Sequence, residues 1–213
     1  MSENSEKIKV YLYCEGVTDI EPLCTMMKRV KPCLEVTVTT RKELKAVTTL
    51  LSNRRGTHKR VTFIKRLAML ATKNGSKHIA YHRDGDGDHN TVYAAVVSDF
   101  KESAEEFYTL AVVPKEMLES WLLADENAYL QAFGESPTKP PLPKKPENLW
   151  GKKDDTNSNY PKHVMKRVLE QYGKAANKEI YACLAEHIDI STMRRKCPES
   201  FERFWKDLQE FVQ

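Results

Sequence analysis

The sequence has no apolar run approaching the about 18 residues a membrane helix needs, so no transmembrane segment is expected. Its opening, MSENSEKIKV, lacks an apolar stretch between a basic end and a small-residue cleavage site, and so does not read as a signal peptide. The five cysteines, at 14, 24, 33, 183 and 197, form no C-x-x-C pair and leave an odd one over. That usage points to reduced thiols in a cytoplasmic protein rather than to a disulfide framework. A strong charge of one sign is also missing. With 34 Lys and Arg against 30 Asp and Glu, the net charge is +4, which excludes a uniformly basic nucleic-acid binder. No internal repeat is present.

What is there suits a globular chain. Its 213 residues, 40% hydrophobic and 30% charged, suffice for one full core with a small helical appendage, and are too apolar for disorder. The near-neutral balance conceals local asymmetry. Residues 41–66 carry Arg41, Lys42, Lys45, Arg54, Arg55, Lys59, Arg60, Lys65 and Arg66 against Glu43, and residues 139–167 are again rich in lysine. Such clusters suit phosphate contact, and Arg54, Arg55, Lys59 and Arg60 are candidate nucleic-acid contacts, the alternative being solvated loop charges.

Along the chain, Ile8 to Cys14 is a β-rich run ending at Glu15-Gly16, and Thr18 with Glu21 has capping-box spacing for a helix over Asp19 to Val30. Leu34 to Thr40 alternates as a strand, and Lys42 to Ser52 and Thr57 to Thr72 read as helices, the second closed by Asn74-Gly75. His78 to Arg83 is a third strand, Thr91 to Phe107 a helix, and Leu110 to Val113 a fourth strand. Pro114 then opens a helix to about Phe133. The β-α-β-α(α)-β-α-β-α order predicts an α/β fold with a mainly parallel four-stranded sheet flanked by helices. Residues 134–161 hold most of the prolines and many lysines. Three amphipathic helices are expected after them, at Lys162–Tyr172, Lys178–His187 and Glu199–Val212. The expected organisation is an α/β domain over residues 1–133, with a Pro/Lys-rich loop and helical C-terminal region over 134–213 packed on it.

In an open parallel sheet, ligands sit beyond the carboxyl ends of the strands. Two polar segments fall at that edge. Asp84-Gly85-Asp86-Gly87-Asp88 follows the third strand, its carboxylates at alternate positions and its glycines permitting tight turns. Gathering three carboxylates is costly through mutual repulsion, and a hard divalent cation is the usual remedy. Mg²⁺ works with few carboxylates, water and substrate phosphate, which points to phosphoryl chemistry. An EF-hand starting at Asp84 fails, because His89 and Ala95 stand where Gly and Glu are required. A haloacid-dehalogenase-type motif fails on its place in the chain. Glu15, at the end of the first strand, is a candidate second metal anchor or general base. His78 and His82 lie on one face of their strand. A zinc site of these with His89 is conceivable but lacks a thiol, and His82 is expected to pack beside the acids.

Glu15-Gly16-x-Thr18-Asp19, followed by Asp84-x-Asp86 after a later strand, resembles the Toprim domain of primases, type II topoisomerases, recombination proteins and the overcoming-lysogenization-defect nucleases. The closer resemblance is to small stand-alone Toprim-like proteins of bacterial defence loci, often encoded beside an ABC-type ATPase. It is carried by Arg83-Asp84-Gly85-Asp86, by Glu119 to Asp125 as E-x-W-L-x-x-D, and by Cys197 to Phe201 as C-x-x-S-F. The resemblance implies a metal-dependent nuclease cutting phosphodiester bonds of DNA or RNA, transfer RNA included. Within it Glu15 would be the general acid/base, and Asp84 and Asp86 would hold Mg²⁺ (or Mn²⁺). Asp88 would assist, Glu119 would complete a second metal position, and Arg83 would meet the nucleic acid. Asp19 stands where that pattern often has Glu, a shorter reach. An effector of this kind needs restraint, so an ABC/AAA-type ATPase partner is implied, and a homo-oligomer is compatible with it. The alternatives are a non-catalytic scaffold or sensor subunit and, more weakly, a phosphatase or nucleotidyl transferase with a closed pocket.

Overall fold

The computed structural model describes residues 7–39, 41, 43–44, 59–136 and 142–212. Four strands, β1 (Ile8–Cys14), β2 (Leu34–Thr39), β3 (His78–His82) and β4 (Tyr108–Val112), form one sheet in the order β2-β1-β3-β4, every pair parallel. Helices α1 (Ile20–Val30), α2 (Lys59–Lys73) and α3 (His89–Ser103) connect them. After β4 come α4 (Glu119–Leu122), α5 (Glu126–Phe133), a 3₁₀ turn (Pro146–Asn148), α6 (Pro161–Gln171), α7 (Lys178–His187), α8 (Ile190–Lys196) and α9 (Phe201–Phe211). The α/β architecture with a helical C-terminal region is the expected one. Among the described residues no helix is long and apolar enough to cross a membrane.

Alternation along the strands sends successive side chains to opposite faces. Val10, Leu12 and Cys14 of β1 join Ala80, Leu110 and Val112 in one core with α1 and the C-terminal helices. Tyr11, Tyr13, Ile79 and Ala111 pack on the other face against α2 and α3. The first core runs without a break from β1 to Phe211, so residues on both sides of position 134 share one interior. Arg29 of α1 donates to the carbonyls of Ala185 (2.7 Å) and Ile188 (2.5 Å), satisfying terminal acceptors at the end of α7.

Local details depart from the sequence expectations. The Thr18–Glu21 capping box does not form. Asp19 is the N-cap of α1 and makes no capping bond, while the Thr18 hydroxyl donates to its carboxylate at 3.3 Å. The single helix expected from Pro114 to Phe133 is broken in two, because Asp125 turns out of the helix to cap α5 through Asn127 N and also accepts from Asp189 N. An additional helix, α8, precedes α9, its three basic residues Arg194, Arg195 and Lys196 in its last turn. Most of the Lys42–Ser52 helix expected from the sequence lies outside the described residues.

One buried carboxylate ties the C-terminal segment down. Glu147 accepts from the backbone N–H groups of Glu199 (2.9 Å), Ser200 (2.7 Å) and Phe201 (3.3 Å), and from the Ser200 hydroxyl. The Trp121 indole donates to that hydroxyl at 2.8 Å and stacks on Phe204. Charge-assisted bonds of this kind contribute about 1.5–3 kcal/mol, and their loss orphans buried donors. Glu147→Ala is therefore expected to cost about 3 kcal/mol in urea unfolding. Circular dichroism and tryptophan fluorescence should report one shared transition, and two separated transitions would refute a continuous core.

Candidate metal centre

The site lies where β1 and β3, adjacent and parallel with Cys14 opposite His82, run out at the sheet's carboxyl edge. The ladder extends a residue further through Glu15 N to His82 O (3.3 Å) and Arg83 N to Val112 O (3.1 Å). The chain from Asp84 to Asp88 then folds back on the segment after β4. Gly85 and Asp86 donate to Glu116 O, and Gly87 donates to Lys115 O. Any Cβ on Gly85 would fall on the Pro114 and Lys115 carbonyls, so only glycine permits this approach. Asp86 and Gly87 are both left-handed, at φ 46° and 83°, and the short polar side chain of Asp tolerates that conformation. Gly16 has a parallel role at the end of β1: a Cβ there would overlap the Asp19 carboxylate, which folds across it.

Three ionisable groups converge under these turns. One ligand atom each from Asp19, His82 and Asp84 lie within 4.8 Å of one another, and the group could hold a metal ion. His82 is fully buried, with Nδ1 3.8 Å from Asp19 Oδ2 and Nε2 3.8 Å from Asp84 Oδ1. These separations exceed hydrogen-bond length, and both ring nitrogens and Asp84 Oδ1 are buried without a partner. Unpartnered buried polar atoms are costly and uncommon. Donors around an ion at about 2.1 Å stand about 3–4 Å apart, so small side-chain shifts would turn this gap into a coordination shell. Two carboxylates and an imidazole suit a divalent ion of intermediate hardness.

Burial and mutual repulsion also shape the electrostatics of the group. Burial, then the charges of Asp19 and Glu119, push the Asp84 carboxyl up to about 8, against the opposing pull of Lys162. Burial pushes Glu119 up to about 7, opposed by Lys162 and by a hydrogen bond from Tyr181 (3.4 Å). Burial lowers the His82 pKa, which keeps the imidazole neutral, as a metal ligand requires. Lys162 is itself raised: burial pulls it down, but Glu119, Asp84 and Asp19 outweigh that.

The residues singled out in the sequence separate here. Asp84 is in the group and Glu119 is buried beside it. Glu15 is exposed at the mouth, its nearest cation the Arg83 guanidinium at 4.0 Å. Asp86 is also exposed and pairs with Lys153 at 2.9 Å. Asp88 caps α3 by accepting from Thr91 N at 3.4 Å. His78 stacks on Tyr108 and His89 lies 3.9 Å from Glu199, so neither joins His82 in a zinc site. Arg54 and Arg55 lie outside the described residues, and Lys59 and Arg60 begin α2. Two residues were undervalued in the sequence. The short reach of Asp19 is offset by Gly16, which lets its side chain lie close. His82 does more than pack beside the acids, and its place two positions before Asp84 is the signal in the sequence.

With a raised folded-state pKa, Asp84 stabilises the metal-free protein fully only below the unfolded value, near pH 4, and that contribution is lost as pH rises toward 8. Metal-free Asp84→Asn is thus expected to become progressively more stable than wild type between pH 4 and 8, by about 2 kcal/mol or more at the upper end. Thermal melts with and without a divalent ion check this. The ion should erase the difference by stabilising wild type alone, and parallel pH curves would refute it.

No curated protein and no solved structure matches the chain. A family model described as "Domain of unknown function (DUF4276)" matches residues 19–209, a stretch that contains Asp19, His82, Asp84 and Glu119. The chain belongs to the DUF4276 family.

Proposed function

We propose that this protein is a metal-dependent nuclease that hydrolyses phosphodiester bonds in DNA or RNA. The observation that carries the reading is the Asp19–His82–Asp84 group at the carboxyl edge of a parallel sheet, in which both His82 nitrogens and Asp84 Oδ1 are buried without a partner. Mg²⁺ fits the carboxylates, and Mn²⁺ is the better match to a set that includes an imidazole. A bound ion would supply charge to the attacking and leaving oxygens of the displacement. The net reaction adds water across a P–O ester bond, leaving a phosphate monoester and a free hydroxyl. Glu119, with its pKa near 7, is suited to take up or release the proton at neutral pH, with Tyr181 orienting its carboxylate. Lys162, a cation held beside three acids, is suited to meet the substrate phosphate. A role as a defence effector restrained by an ATPase partner follows from the Toprim resemblance, a cytoplasmic setting follows from the cysteine usage, and a homo-oligomer is compatible with both.

A second reading, a non-catalytic scaffold or sensor that keeps the metal fold, is favoured by the exposure of Glu15 and the pairing of Asp86 with Lys153. One experiment separates the two. Purified protein with Mg²⁺ or Mn²⁺ is expected to cut mixed nucleic acids. Asp84→Ala and His82→Ala should lower the rate by about 100-fold or more while melting as folded proteins, and chelation should abolish cutting. A folded, metal-loaded wild type that cuts nothing would favour the scaffold.

A further inference from the structure

Residues 142–160 carry features that the metal group does not use. Trp150 is 72% exposed, whereas Trp121 is fully buried. Tryptophan is ordinarily among the most buried side chains by area, so one left in solvent is an available stacking surface. Two residues before it, Asn148 lines a cleft of about 450 Å³ whose other walls include Lys144, Lys145, Arg195 and Lys196. Three residues after it, Lys153 reaches Asp86 of the metal loop.

The cleft is more positive than its lining suggests. Its two acids are already engaged: Glu147 by three backbone N–H groups and a hydroxyl, and Glu199 by Lys115 at 2.7 Å with His89 at 3.9 Å. None of the four cleft cations forms an ion pair with a described acid, and Arg195 donates to the Thr192 hydroxyl at 3.4 Å. The cleft also adjoins the metal loop directly. Lys115, whose carbonyl receives Gly87 N, extends its ammonium to Asn148 Oδ1 at 2.9 Å. The cationic cleft thus meets the metal loop through Lys115, and Trp150 lies in the short stretch of chain between Asn148 of the cleft and Lys153, which reaches that loop. Cations spaced along a groove suit the phosphates of a strand, and an exposed aromatic suits an unpaired base, whose face a duplex would hide.

We propose that this cleft and Trp150 form the track for a single strand of nucleic acid leading to the metal group, with Lys144, Lys145, Arg195 and Lys196 on its phosphates and Trp150 on one base. The assignment rests on the nuclease reading for what happens at the far end, but its test is binding. Fluorescence anisotropy would follow labelled oligothymidine and oligouridine on the full chain in chelator. Trp150→Ala is expected to weaken affinity roughly ten- to a hundredfold. Lys144→Ala with Arg195→Ala should reduce the slope of log affinity against log salt by about 1.4, two phosphate contacts on a single strand. A duplex of equal length should bind more weakly. Tryptophan fluorescence should be quenched on binding in wild type but not in Trp150→Phe, which keeps most of the affinity. Unchanged binding in the alanine variants, or tighter binding of duplex, would overturn the track. Single-strand binding through Trp150 without cutting under any divalent ion leaves the track standing and removes the nuclease reading. Cutting that is indifferent to the cleft and Trp150 variants does the reverse.

Discussion

The structure turns on an imidazole held between two carboxylates it cannot bond. His82 sits fully buried, 3.8 Å from an oxygen of Asp19 on one side and of Asp84 on the other. Removing such groups from water without a partner costs several kcal/mol, and a fold tolerates this only when its remaining parts are well satisfied. Here they are. The glycine-hinged loop after β3 is pinned by three backbone bonds to the segment after β4, and α1 is fixed over the sheet through the Arg29 bonds to the end of α7.

That support reaches across the chain. The helix carrying Glu119 also carries Trp121, whose indole bonds Ser200, and Cys197 donates weakly to Ser120 O. The two late motifs of the sequence are thus two sides of one contact. Burial of Glu147 against the start of α9 completes it. The placement of Glu119 near Asp84 therefore depends on residues about eighty positions further along, and the helical region helps to build the site's inner wall.

The outer wall has a different character. Asp86 and Lys153, paired at 2.9 Å, and Glu15, 4.0 Å from half-exposed Arg83, are charges open to solvent. Pairs of this kind contribute little to stability and exchange partners readily. A group that could hold a metal ion thus lies beneath a rim of charges open to solvent.

Much of this was legible from residue order. The strands and their parallel arrangement followed from β-rich runs separated by helix-period segments, and the importance of Asp84 followed from glycines between acids at a strand end. Asp19 and His82 were harder to weigh. Whether an aspartate reaches far enough depends on how closely its backbone approaches, which Gly16 controls, and whether a strand histidine packs or coordinates depends on what lies across from it. The break at Asp125 was hidden as well, because that residue is drawn out of helical geometry by Asp189, 64 positions away.

Local chemistry alone thus determined the alternation of the strands, the turn-forming glycines and the cluster of acids at the sheet edge. Tertiary structure alone decided which acids lose their water. Desolvation is set by every neighbour at once, and it separated half-buried Asp84 and buried Glu119, both with raised pKa values, from Glu15 and Asp86, which remain in solvent.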